Sequence, residues 1–403
     1  MKKHDEKLNH KKLKYISYIA FLLGFSQAVL AYIISSYIKN ATGSENVGLF
    51  YFISYILVLV VLLEFHKIIK KLGKSNTFFI TLGIQTISLL FLSILPPSNL
   101  TIAFLVLYIF FGSLAFVCLD IILESFSTDH QSGRIRGMHL MILDAGFILG
   151  PFLSTQLLER YDFQAAFLVS LLLNILVLAI ATSKLRGVNH EFKGTLSVDD
   201  IFKKIIKQKN VLRVYYISFI LEFFYAIMII YSPIYLRGMG ISWEQIGLIF
   251  TVMLIPFIIF PYPAGFIADK KFGEKELLIT SLLIMGFSTI TILFIDTPNI
   301  LIWAIVLFVT RIGASLVQTL RDSYFYKQID GHDVDLINFF RTSMPTAYIA
   351  AATLSFFIIT FYSINHIFII LGILVLTALW PAFKLVDNKS ESELEALQYI
   401  SNQ

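Results

Sequence analysis

Tyr15-Ile16-Ser17-Tyr18-Ile19 returns 201 residues later as Tyr216-Ile217-Ser218-Phe219-Ile220. Glu45-Asn46-Val47-Gly48-Leu49 returns after 199 residues as Glu244-Gln245-Ile246-Gly247-Leu248. Lys70-Lys71-Leu72-Gly73-Lys74 returns after 200 as Lys270-Lys271-Phe272-Gly273-Glu274. Three matches in one order and one register mean that the second half of the chain repeats the first. The stretches between them are apolar runs of membrane length. Two homologous halves of membrane helices imply a cavity between them, which is the arrangement of a transporter.

Composition names the solvent. Apolar residues make up 57% of the 403 residues, charged ones 15%, and mean hydropathy is +0.77. A soluble domain carries about 25% charged residues, so the surplus apolar surface belongs in lipid. The runs predict twelve spans, at roughly 15–38, 47–65, 76–95, 100–123, 138–158, 164–183, 211–236, 243–266, 276–295, 299–320, 337–361 and 364–384. Backbone amides in lipid must pair within their own segment, so these spans are helices. The expected fold is an all-α integral membrane protein with twelve transmembrane helices in two pseudo-symmetric six-helix bundles. The N-terminal bundle covers 1–183, a linker 184–210, the C-terminal bundle 211–385 and a tail 386–403.

Lys and Arg set the orientation. The termini and the alternate loops on their side hold 25 of the 32 basic residues, and the opposite loops hold only Lys39, Arg160 and Arg237. The basic side is cytoplasmic, so both termini are expected inside, in a multi-pass protein of the cell membrane. The net charge of +5 therefore reports topology rather than nucleic-acid binding. A single cysteine, Cys118, excludes an intrachain disulfide framework. In the linker, Ser197-Val198-Asp199-Asp200 resembles a capping box, followed by Ile201, Phe202, Ile205 and Ile206 on one face with Lys203, Lys204 and Lys207 around it. That pattern predicts a basic helix lying on the inner leaflet.

At the end of span 8 stands Gly265-Phe266-Ile267-Ala268-Asp269-Lys270-Lys271-Phe272-Gly273-Glu274-Lys275. The physical logic is a small residue at a close helix crossing, then a basic turn with a carboxylate at a helix end. Span 5 carries Gly146-Phe147-Ile148-Leu149-Gly150-Pro151, where glycines four apart make a flat packing face and proline frees a carbonyl. The first pattern closely resembles the cytoplasmic loop signature of the major facilitator superfamily, and the second resembles that family's fifth-span antiporter motif. The first half keeps Gly73 and Lys74 of the loop signature but has Phe65 and Ile69 where the register expects glycine and aspartate. In span 5, Ser154 and Thr155 replace the motif's closing glycines. The resemblance covers about 14–385 and implies a secondary transporter, functional as a monomer, in which spans 1, 4, 7 and 10 line the cavity.

Charges at membrane depth cost about 3 kcal/mol on insertion scales, so their positions are informative. Glu222 in span 7 and Arg311 in span 10 each lie roughly 17–18 Å from their span's start. Ser218, Glu222 and Tyr225 share one face of span 7, and Arg311, Ser315 and Gln318 share one face of span 10. By the family resemblance both faces meet one aqueous space. Two readings stay open: Glu222 titrates during the cycle while Arg311 pairs with it or holds an anionic substrate group, or the two form a permanent structural pair. Gln27 in span 1 is a substrate ligand or helix–helix glue, as is Gln85 in span 3. Asp144 in span 5 is a second titrating group or a partner for a basic loop. Asp120 and Glu124 end span 4, and Arg321 and Asp322 end span 10. They read as latches at the cytoplasmic rim.

Other chemistries find no support in the sequence. It holds no Gly-x-x-x-x-Gly-Lys-Ser/Thr for ATP, no His-Glu-x-x-His, and no metal-ligand spacing among its eight histidines. The expectation is a transporter that is not an enzyme and needs no cofactor. Its partners would be a small organic solute, protons and the bilayer, with a lean toward export. Proton-coupled uptake of a sugar or metabolite is the alternative, and a non-transporting sensor or scaffold is the rival of another class.

Overall fold

The computed structural model of the chain describes residues 10–126, 132–188, 208–268, 270, 273–328 and 334–386. The expected linker helix, the tail after Val386, Asp269, Lys271 and the side chain of Glu124 lie outside the described residues. Among the described residues every regular element is helical, and eleven helices are long and apolar enough to cross a membrane. The count is twelve when the pair Gly48–Leu63 and Phe65–Leu72, bent by 65° at Glu64, is taken as one broken span. Contacts divide the chain into two compact units, 1–195 and 196–403.

Each unit packs by the same plan. In the first, span 1 lies on spans 5 and 6, span 3 on spans 4 and 6, and span 2 on span 4. In the second, span 7 lies on spans 11 and 12, span 9 on spans 10 and 12, and span 8 on span 10. Adding six to each number of the first set gives the second set. The sequence repeat is thus a repeat of packing.

The spans are less regular than their apolar runs suggest. Span 1 turns at Tyr32 and Ile33 and continues as Ile34–Thr42. Span 8 is three pieces, Trp243–Leu254, Pro256–Ile259 and Pro261–Ile267, because each proline lacks the N–H that would bond back to the preceding turn. Span 11 is Val334–Arg341 followed by Ser343–Phe361, and span 12 is His366–Thr377 followed by Leu379–Phe383.

The stretch 66–75, read from sequence as a loop, is for the most part the helix Phe65–Leu72. Phe65 and Ile69, one turn apart, are buried in the first unit's core beside Phe78, Leu119 and Ile122, while Lys70 and Lys71 are exposed. This amphipathic helix gives the departure from the loop signature a physical reason. Gly and Asp are replaced there by the two residues that dock the helix. Ile69→Asn would bury an amide in that core, and a loss of about 1–3 kcal/mol is expected, read as a lower Tm of the purified protein.

Glycines set the closest crossings. A Cβ at Gly146 would lie 2.5 Å from the Phe21 carbonyl oxygen, and one at Gly150 would overlap the backbone of Ala28. Spans 1 and 5 therefore touch backbone to backbone. Ser154 and Thr155, in place of the motif's closing glycines, are fully buried and donate to the Pro151 carbonyl at 3.1 and 2.8 Å. Gly150→Leu is expected to cost about 1–3 kcal/mol by overpacking, seen as reduced Tm and yield of monodisperse protein. Gly265 is a correction. Among the described residues a Cβ there would meet nothing within 4 Å, so it marks no close crossing. The turn into spans 3 and 9 does require glycine, since Gly73 and Gly273 both have positive φ, 85° and 72°.

Candidate functional site

The second unit holds a line of polar contacts joining span 7 (Lys209–Gly238) to span 10 (Ile300–Lys327). Its centre is an ion pair, with Arg321 Nη2 donating to Glu222 Oε1 at 2.9 Å. Arg321 Nη1 donates to Ser218 Oγ at 2.6 Å and to the Ser218 carbonyl at 3.2 Å. Arg321 Nε lies 3.3 Å from Asp322 Oδ1, close in charge but without hydrogen-bond geometry. Three residues further along span 7, Tyr225 donates to Gln318 Oε1 at 2.8 Å. The two helices run antiparallel, so a step of three forward on one meets a step of three back on the other.

This arrangement reassigns two residues. Arg321, expected at the rim, turns its guanidinium inward onto Glu222, and its side chain is only 9% exposed. Arg311, considered as the partner of Glu222, makes no ion pair among the described residues. It is 1% exposed, and its guanidinium carbon sits 4.9 Å from the centre of the Phe224 ring. Ser315, one turn on, is buried and donates to the Ile312 carbonyl of its own helix.

The repeat places Phe21 opposite Glu222 and Leu123 opposite Arg321, so the first unit has no counterpart of this pair. It holds amides instead. Tyr108 of span 4 donates to Gln27 Oε1 of span 1 at 3.0 Å. That bond is helix–helix glue of the kind considered for Gln27. Gly112 is the floor on which both Gln27 and Gln85 rest, for a Cβ there would lie 2.6 and 2.9 Å from their amide nitrogens. Gln85 is fully buried, and among the described residues neither atom of its amide has a hydrogen-bond partner. Asp144 is half-buried in span 5. Asp120 faces His139 Nε2 at 3.7 Å, a neighbour the sequence reading did not pick out.

The loop signature contributes matched contacts. Lys74 Nζ donates to Ser125 Oγ at 2.7 Å in the first unit, and Ser323 Oγ donates to Glu274 Oε1 at 2.8 Å in the second. Lys74 matches Glu274 and Ser125 matches Ser323 in the repeat, so one contact recurs with its charge inverted. Glu274 is fully buried and also pairs with Lys327 at 2.5 Å. Lys270 lies over the Phe266 ring, and Lys275 is half-buried.

A family model described as Major Facilitator Superfamily matches residues 16–244 and, a second time, 238–398. The chain belongs to the major facilitator superfamily. Membership of this superfamily supports secondary transport in general as its activity, carried out by a multi-pass membrane protein, and such proteins are typically not enzymes. No curated relative matches the chain. Its second half carries the Glu222–Arg321 pair, and the amphipathic helix Phe65–Leu72 stands where the first loop signature would lie.

Proposed function

We propose that this protein is a proton-coupled secondary transporter of the cell membrane that moves a small organic solute by alternating access, with both termini cytoplasmic. The Glu222–Arg321 pair carries the reading. It links two different spans midway along span 7, and its members are 15% and 9% exposed. A carboxylate bonded across a helix interface can exchange that bond for a proton, and the exchange frees the arginine and loosens the two spans. The cycle then needs only a solute that favours one protonation state over the other. Export is favoured over uptake, on the strength of the Gly146-Gly150-Pro151 motif in span 5 and of the few polar side chains on spans 1, 4, 7 and 10. The unit of function is the monomer, working without cofactor or ATP.

The test is flux in proteoliposomes holding the full chain, with a labelled amphipathic solute panel and an imposed pH gradient. Transport that rises with the gradient and stops when a protonophore collapses it supports the reading. Flux indifferent to the gradient removes proton coupling. No flux of any solute favours the sensor or scaffold, and uptake in place of export reverses the direction.

A further inference from the structure

Arg311 is the least compensated charge among the described residues of the second unit. Its side chain is enclosed, its guanidinium stacks over Phe224, and Nη1 is buried with no hydrogen-bond acceptor. Glu222, the carboxylate at comparable depth, is already held by Arg321, which also has Asp322 beside it. Glu274 is taken by Lys327 and Ser323. Arginine keeps its charge at any physiological pH, so this cation is not relieved by losing a proton. A buried ion without a counter-charge carries an uncompensated desolvation penalty. A ring face offsets part of that, but among the described residues it leaves Nη1 without an acceptor.

We propose that Arg311 is the binding site for an oxyanion group, a carboxylate or phosphate, on the transported solute. This deepens the transporter reading and rests on it. A planar guanidinium offers paired N–H donors whose spacing matches two oxygens of such a group. The Phe224 ring beside it offers an apolar wall for the body of an amphipathic anion. Ser315 lies one helical turn from Arg311 on the same face of span 10, and its hydroxyl would have to turn from the Ile312 carbonyl to donate to a bound anion.

The test measures binding at equilibrium with no gradient, so it is independent of proton coupling. Full-length protein in nanodiscs is melted with benzoate, octanoate or inorganic phosphate, and with benzamide and octanamide as neutral controls. At least one anion is expected to raise Tm by several degrees while its amide does not, and which anion does so tells carboxylate from phosphate. The shift should vanish in Arg311→Gln and persist in part in Arg311→Lys. Without ligand, Arg311→Gln should melt no lower than the parent, because the substitution removes an unpaired charge. Three results overturn the proposal: no anion stabilising beyond its neutral control, an anion shift that survives Arg311→Gln, or a ligand-free Arg311→Gln variant that melts lower or fails to fold. The last would make Arg311 a structural residue. Loss of gradient-driven flux in other variants would leave this result untouched.

Discussion

Glu222→Gln is expected to abolish gradient-driven accumulation while leaving solute exchange at equal pH measurable. The amide keeps the length of the side chain and an oxygen that can still accept from Arg321 Nη2, so the contact between spans 7 and 10 survives as a hydrogen bond from the charged guanidinium to a neutral amide. What it loses is the ability to take up and release a proton. Coupling exists only if the proton and the solute each change the other's affinity, and a group fixed in one protonation state has nothing to exchange. Gradient-driven flux should therefore fall by at least about tenfold, within the range of ordinary coupling energies, with a smaller loss of Tm than in Arg321→Met because Asp322 Oδ1 stays 3.3 Å from Arg321 Nε. Counterflow in proteoliposomes, run with and without a pH gradient, separates the two quantities. Unchanged coupling in a well-expressed variant would reduce the Glu222–Arg321 pair to a structural brace and turn attention to Asp144.

The twelve spans and the family were legible because they rest on composition and period, which survive any detail of packing. The repeat register was legible for the same reason, and it matched Lys74 with Glu274 before the contact each makes was known. The partner of Glu222 was not legible. Arg311 and Glu222 have similar nominal depth, but depth along a helix ignores the reach of an arginine side chain. Arg321 starts near the end of span 10 and extends its guanidinium to Ser218 and Glu222. One signal was present. Tyr225 and Gln318 sit three residues beyond Glu222 and three before Arg321, so placing either pair in an antiparallel register implies the other. Sequence alone does not supply that first contact. The breaks in span 8 could have been read from Pro256 and Pro261, whereas the turn at Tyr32 and Ile33 has no such marker.

Gly265 and Ile69 illustrate opposite errors of motif reading. The glycine of the second-half signature matches the family pattern, yet among the described residues an added Cβ there would meet nothing within 4 Å. The isoleucine of the first half breaks the pattern, yet it is buried and holds a helix in place. A motif reports what residue types recur; only the packing tells whether a given copy uses them for the usual contact.

Arg321→Met is expected to be the most destabilising single change in the second unit, and Glu222→Leu combined with Arg321→Met is expected to restore most of the loss. Removing one member of a buried pair leaves the other charged and unmatched, at about 3–5 kcal/mol. The lower end applies here because Glu222 is 15% exposed and keeps some access to water. The arginine's two bonds to Ser218 disappear as well, and the Ser218 hydroxyl retains Ser343 at 2.8 Å, so that group is not stranded. When both charges are replaced by apolar side chains of similar size, the desolvation cost of burying the ions is no longer incurred, and such swaps are often neutral or favourable. Tm of the four proteins in a double-mutant cycle measures the coupling directly. A coupling energy near zero, with the double variant as unstable as Arg321→Met, would mean that the arginine stabilises the fold through Ser218 rather than through Glu222. A recovered double variant that still binds solute but no longer responds to a pH gradient would instead separate the two roles of the pair. Its charges would then be dispensable for folding and required for coupling, as expected of an ion pair retained for transport rather than for stability.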